Sequence, residues 1–150
     1  GGIRANLPCR SAPPCPITYG DIFAMQPFGN SLVVLTLTGA ELKELLERQQ
    51  PPGASRPTFL QPSATLRYQW IAGAAHGQRV RQLRLNGRPI TAQQPVRLVV
   101  NSFLAQGGDG FEGFRQGRES VGGPLDVEAL AAYLAGNPAP DPLARIDLGH

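Results

Sequence analysis

One short run constrains this chain more than any other. Ser31-Leu32-Val33-Val34-Leu35-Thr36-Leu37 is apolar, β-branched and too short for a buried helix, so it reads as a strand. It runs without a spacer into Thr38-Gly39-Ala40-Glu41, a capping box in which Thr38 serves as N-cap and Glu41 stands at the third helical position. The helix that should follow carries Leu42, Leu45 and Leu46 at helical spacing, with Glu44 and Arg48 as an i,i+4 ion pair. Pro51-Pro52-Gly53 should end it.

Around this unit the chain is cut into short pieces by 15 Pro and 18 Gly, which predicts many specific loops. Pro8, Pro13, Pro14 and Pro16 forbid a regular helix near the start, so residues 1–20 are expected to be mostly loop. Residues 18–25 suit a short helix or turn. Residues 65–70 alternate polar and apolar, the mark of a half-buried strand. Residues 73–77 are a small-residue loop. Residues 80–85 alternate imperfectly and reach Asn86-Gly87, a strong hairpin signal because both residues tolerate positive φ. Arg88-Pro89-Ile90 starts the return, and residues 96–100 form a further apolar strand. Gly107-Gly108-Asp109-Gly110 is a tight loop. A second capped helix is expected over residues 126–134, with Leu130 and Leu134 inward and Gly136 as C-cap. The tail after Pro138 reads as coil, with Ile146 able to pair as a last strand. The order of loop, strand, helix, several strands and helix argues for α+β, with a mixed or largely antiparallel sheet and packed helices.

The 150 residues are one domain's worth, enough to bury a core. The net charge of +3 comes almost wholly from scattered Arg, with no basic run. Nucleic acid is therefore not an expected partner. No stretch of about 20 apolar residues exists, so no membrane span is expected. The chain starts at Gly1 with no Met and no visible signal peptide, and is expected to be a fragment or a processed product. Cys9 and Cys15 flank a Pro-rich loop. Two ligands do not make a structural zinc site, which wants four. A disulfide is the better reading and points to an oxidising compartment; two unpaired loop thiols are the alternative.

Groups for bond-breaking chemistry are scarce. His76 lies in a loop with no carboxylate or cysteine near it in sequence, and is expected to be solvated. His150 is the last residue and is expected to fray. The chain has no HExxH, no DxH, no GxSxG and no phosphate-cradling glycine loop before Lys-Ser/Thr. One Asp among glycines supplies too few oxygens for calcium. Asp109 can accept hydrogen bonds from sugar hydroxyls while its glycines let the backbone approach a ligand; the plain alternative is that it caps its own turn. Phe28 and Phe103 sit at element ends beside Pro-rich or Gly-rich turns, where binding sites concentrate. Two such rings can sandwich a flat heterocycle. Equally, both could be loop anchors packed on the core.

Four motifs occur in order: Gly1-Gly2-Ile3-Arg4; Ile17-Thr18-Tyr19-Gly20-Asp21-Ile22-Phe23; Gln26-Pro27-Phe28-Gly29-Asn30; and Asn101-Ser102-Phe103-Leu104-Ala105-Gln106-Gly107-Gly108-Asp109-Gly110-Phe111. Together they resemble the C-terminal domain of the 5′-nucleotidase family over nearly all of the chain. That family includes periplasmic UDP-sugar hydrolases, 2′,3′-cyclic-nucleotide phosphodiesterases and the animal ecto-5′-nucleotidase. The resemblance implies a nucleoside-binding domain whose motif aromatics, Phe28 and Phe103, clamp the base. It implies that Asp109 holds ribose hydroxyls and that Arg4 lies near the phosphate or ribose. Asn30 is carried over with its motif, and Gly108 fits as a close backbone approach. Catalysis would reside on an N-terminal metallophosphoesterase domain holding two divalent metals of zinc or manganese type, with no cofactor and no catalytic residue in this chain. The resemblance also implies that the domain begins upstream, with a further helix, a strand and at least one basic substrate contact.

The leading expectation is therefore a substrate-binding C-terminal domain over residues 1–150, N-terminally truncated, from a periplasmic or extracellular nucleotidase or cyclic-nucleotide phosphodiesterase. Alone it should be inactive. An open sheet edge invites pairing with a second copy, so weak nucleoside binding and some homodimerisation are expected. A stand-alone nucleoside- or sugar-binding module is the alternative, and a structural interaction domain with a decayed site is a third reading.

Overall fold

The computed structural model describes residues 2–8, 15–136 and 145–149. It confirms the α+β class. Helix α1 (Tyr19–Met25) leads to strand β1 (Ser31–Thr38) and helix α2 (Gly39–Glu47). Strands β2 (Leu66–Trp70), β3 (Val80–Leu85), β4 (Arg88–Pro89) and β5 (Pro95–Asn101) follow. One helical turn, α3 (Ser102–Ala105), and two 3-10 turns at Gly108–Gly110 and Glu112–Gln116 lead to β6 (Arg118–Leu125). Helix α4 (Asp126–Gly136) and strand β7 (Ile146–Asp147) complete it.

The strands make two sheets. One is antiparallel in the order β5-β1-β6; the other runs β4-β3-β2-β7, with β7 parallel to β2. Helix α2 serves both. Leu42 and Leu46 pack with Tyr68, Trp70, Val80 and Val96, while Leu45 packs with Leu35, Leu37, Phe111 and Phe114. The helix begins where the capping box places it: Thr38 Oγ1 accepts from Glu41 N at 3.3 Å, and Glu41 Oε2 accepts from Thr38 N at 2.7 Å. Gly39 is needed there. Its N–H and that of Ala40 donate to Gln94 and Ala92 carbonyls, each at 2.9 Å, and a Cβ on Gly39 would collide with the Thr91 carbonyl. Asn86 and Gly87 both take positive φ, as the β3–β4 hairpin requires.

Several expectations are corrected. Strand β6 is absent from the sequence reading, because Arg118-Glu119-Ser120-Val121-Gly122-Gly123 followed by Pro124 carries turn residues and no alternation. It pairs with β1 through two register shifts and is exposed throughout, and the ladder hydrogen bonds of β1 hold it as an edge. Helix α4 does begin at Asp126, as expected, and Asp126 Oδ1 accepts from Val127 N at 2.8 Å. Leu130 and Leu134 are half-buried, and Val127 is the buried apolar residue of that helix. His76 is exposed as expected, but Nε2 lies 3.0 Å from Glu44 Oε2, a partner 32 residues away in sequence. Cys9, residues 137–144 and His150 lie outside the described residues, so the Cys9–Cys15 pairing does too.

Candidate ligand site at one end of the first sheet

Register explains why distant motifs meet. Leu32 stands opposite Asn101 in the antiparallel β1–β5 ladder, so the segment entering β1 and the segment leaving β5 emerge at one end. Ser102 ties them: its Oγ accepts from Ser31 N at 3.2 Å and donates to Asn30 Oδ1 at 3.4 Å. The Asn30 carbonyl accepts from Asp126 N at 2.8 Å, joining α4 to the same end. Asn101 caps α3, its Oδ1 accepting from Leu104 N at 2.8 Å.

On this frame stand the candidate residues. Phe28 is 36% exposed and Phe103 is 47% exposed, so neither ring is a core anchor. Arg4, fixed by a 2.9 Å bond from its N–H to the Met25 carbonyl, places its guanidinium 5.4 Å from the Phe28 ring centre. Phe103 lies on Gly108, and Asp109 follows, exposed, with φ 54 in the left-handed region. That conformation is uncommon outside Gly and Asn and is tolerated by Asp. The loop around it is closed by Gly107 N to Leu104 O at 2.8 Å and Phe111 N to Gly108 O at 3.1 Å.

Asp109 also borders a cavity. A cavity of about 500 Å³ lies between Asp109 and Phe111 on one wall and Arg48, Gln50, Thr58 and His76 on the other. Arg4, Phe28, Asn30 and Phe103 do not line it. Its walls are held by two groups that sequence reasoning missed. Glu47, wholly buried, accepts from Gly77 N at 3.0 Å, Arg79 N at 3.2 Å and Val80 N at 2.8 Å. Gln49, also buried, accepts from Leu60 N at 2.8 Å and bonds the Tyr68 hydroxyl. Burial pushes the Tyr68 phenol up to about 12, against that hydrogen bond. All the partners of Glu47 lie at least 30 residues away, so no local pattern announces it.

The surface pair Glu41–Arg118 closes at 2.6 Å. Its hydrogen bonds, with that from Thr38 N, bring the Glu41 carboxyl down to about 2. Among the described residues no three His, Cys, Asp or Glu side chains converge as a metal would need. The described residues do not fit a metal pair. No described helix is long and apolar enough to cross a membrane.

The geometry defines an α+β domain that presents two exposed phenyl rings, an arginine and a carboxylate from loops and short helical turns next to a three-stranded sheet. The family described as "5'-nucleotidase, C-terminal domain" matches residues 1–116, and the chain belongs to that family. It is 34% identical to the probable 5'-nucleotidase of Treponema pallidum over 120 residues, covering 75% of this chain and 19% of that one. It is 33% identical to the cell wall protein Lmo0130 of Listeria monocytogenes over 138 residues, covering 89% of this chain and 17% of that one. The crystal structure of a 5'-nucleotidase precursor from Thermus thermophilus superposes with a TM-score of 0.81 at 34% identity, over 98% of this chain and 30% of that one. The chain thus spans about a fifth of the length of these curated relatives.

Proposed function

We propose that this chain is the nucleotide-recognising domain of a 5′-nucleotidase-type phosphoric ester hydrolase. Phe28 and Phe103 stack the base. Asp109 accepts hydrogen bonds from the ribose hydroxyls. Arg4 attracts the phosphate, Asn30 holds the β1 entry against α3, and Gly108 allows the Phe103 ring its place. The bond is broken elsewhere: water adds to phosphorus and the phosphate ester bond breaks, on a metallophosphoesterase domain. Two divalent metals of zinc or manganese type would polarise the phosphoryl group and activate the water there. The protein would work in the periplasm or outside the cell, with Cys9 and Cys15 bridged. Edge strands β5 and β6 offer unpaired backbone groups to a second copy, and some dimerisation belongs to this reading.

The observation that carries the reading is the meeting of Asn30 with Ser102, which sets Phe28 and Phe103, both exposed, at one sheet end. Calorimetric titration with adenosine and with 2′,3′-dideoxyadenosine tests it. The parent should bind adenosine more tightly, and Asp109→Ala should remove that preference, worth about 1.5–3 kcal/mol per charged hydrogen bond. Equal binding of both ligands by the parent would remove Asp109 from the site. The chain alone should leave bis-p-nitrophenyl phosphate intact, with or without manganese, zinc or cobalt. Thiol titration of the denatured, unreduced chain should find no free thiol; two would defeat the bridge.

A further inference from the structure

Asn30 is held on three sides where the chain enters β1. Its carbonyl accepts from Asp126 N at 2.8 Å. The next amide, Ser31 N, donates to Ser102 Oγ at 3.2 Å. The Asn30 side chain, half-buried, sets its Oδ1 3.4 Å from the same Ser102 Oγ. Asn30 stands two residues after Phe28, and Ser102 is the residue before Phe103. The triangle therefore sits at the root of both exposed rings.

Hydrogen-bond direction in this triangle follows from the groups themselves. A backbone N–H can only donate, so Ser102 Oγ accepts from Ser31. A hydroxyl has one proton to give. Among the described residues, Ser102 Oγ gives it to Asn30 Oδ1 and to no other group. Turning the amide over would set two donors on one hydroxyl and leave that proton unpaired, which is unfavourable away from bulk water. The Asn30 oxygen is thus turned towards Ser102, and Nδ2 is turned away. Among the described residues Nδ2 donates to no acceptor. Neighbouring Asn101 is held in the same sense, its Oδ1 engaged by Leu104 N at 2.8 Å as the cap of α3.

We infer that Ser102 is a positioning residue whose hydroxyl locks the Asn30 amide with its NH2 outward, so that the site reads a base through a ring-nitrogen or carbonyl acceptor on one edge. The inference rests on the reading of Phe28 and Phe103 as a base clamp. Stacking alone tolerates every base, because each has a π face. A fixed donor beside the rings adds selectivity and sets how the base lies between them. An acceptor at the right place gains a hydrogen bond. An amino group or a C–H there leaves the NH2 unpaired, which is how a polar site rejects a near-isostere.

The test is calorimetric titration of the 150-residue chain with adenosine and its 1-, 3- and 7-deaza analogues, each of which replaces one ring nitrogen by C–H and keeps the ribose. At least one analogue should bind the parent about fivefold to tenfold more weakly than adenosine. Asn30→Asp keeps the shape and loses the donor, and should bring that analogue level with adenosine. Ser102→Ala frees the amide to turn, and should shrink the difference to about twofold or less. Ser102→Thr keeps the hydroxyl and should restore it. Asn101→Asp adds the same charge nearby and keeps an oxygen to cap α3, so the difference should survive it. If Ser102 were only structural, Ser102→Ala would weaken all four ligands together and leave their ratios alone. Circular dichroism checks that each variant is folded. Equal binding of all four ligands by the parent, or ratios unchanged in Ser102→Ala, would overturn the inference and leave the clamp standing. Binding of none of the four would remove the clamp and the inference with it.

Discussion

Phe103 lies flat against Gly108: a Cβ built on that glycine would stand 2.5–2.6 Å from three carbons of the ring. The pair couples the last turn after β5 to the loop that carries Asp109. Gly108 is not among the residues with positive φ. Its need is room for the ring, not backbone freedom.

Gly108→Ala should therefore displace the ring without straining the backbone. Base stacking on one aromatic face is worth about 1–3 kcal/mol. Adenosine affinity measured by calorimetry should fall about tenfold or more, while the melting temperature changes little. A variant that binds as the parent does would show that Phe103 does not contact the base.

Glu47 makes the opposite prediction. Its carboxylate, buried, receives three backbone N–H groups that fix the turn between β2 and β3. Removing it strands those donors, each at a cost of about 1–3 kcal/mol. Glu47→Ala should lower unfolding free energy in urea by about 3 kcal/mol or more, with Glu47→Gln milder. Unchanged stability would mean that water replaces the carboxylate fully.

Glu47 also marks where reading the sequence stops. The strand from Ser31, the capping box at Thr38, the Asn86-Gly87 turn and the pairing of Ile146 were legible because each is a local pattern of a few residues. β6 was not, since its glycines and Pro124 suit a loop until β1 supplies a partner. At the candidate site the residue types were legible and their meeting was not. Ser102, which joins Asn30 to α3 across 72 positions, has no sequence signal of its own. The partners of Glu47 and the Glu44 contact of His76 belong to the same class: a polar group whose partner arrives only with the tertiary fold.

The Glu41–Arg118 pair sets an acid dependence. The folded carboxyl titrates near 2 and its ordinary value is 4.5, so the native state binds fewer protons than the unfolded chain between those values. The sign follows: the pair's contribution is fully present above about pH 4.5 and is lost as pH falls towards 2. Because solvent screens both side chains, the pair's contribution to stability should be small. Arg118→Gln should flatten the fall in stability between pH 5 and pH 2, measured by urea unfolding at low salt. An identical pH slope in the variant would exclude the pair as its source.

Arg4 separates two roles by its ligand dependence. Its guanidinium stands 5.4 Å from the centre of Phe28, close enough for a cation–π contact of about 0.5–1 kcal/mol at an exposed site. If Arg4 only steadies the ring, its loss weakens a nucleoside and a nucleotide alike. If it meets the phosphate, a charged hydrogen bond of about 1.5–3 kcal/mol is lost for the nucleotide alone. Arg4→Gln should therefore cost adenosine no more than a few-fold in affinity, while AMP loses about ten- to a hundredfold. Arg4→Lys should recover part of the AMP loss, because the charge returns without the planar fork. The backbone bond from Arg4 N–H to the Met25 carbonyl survives every substitution, so the main chain keeps its anchor in all three proteins. Equal losses for adenosine and AMP would assign Arg4 to the support of Phe28 and leave the phosphate to other groups.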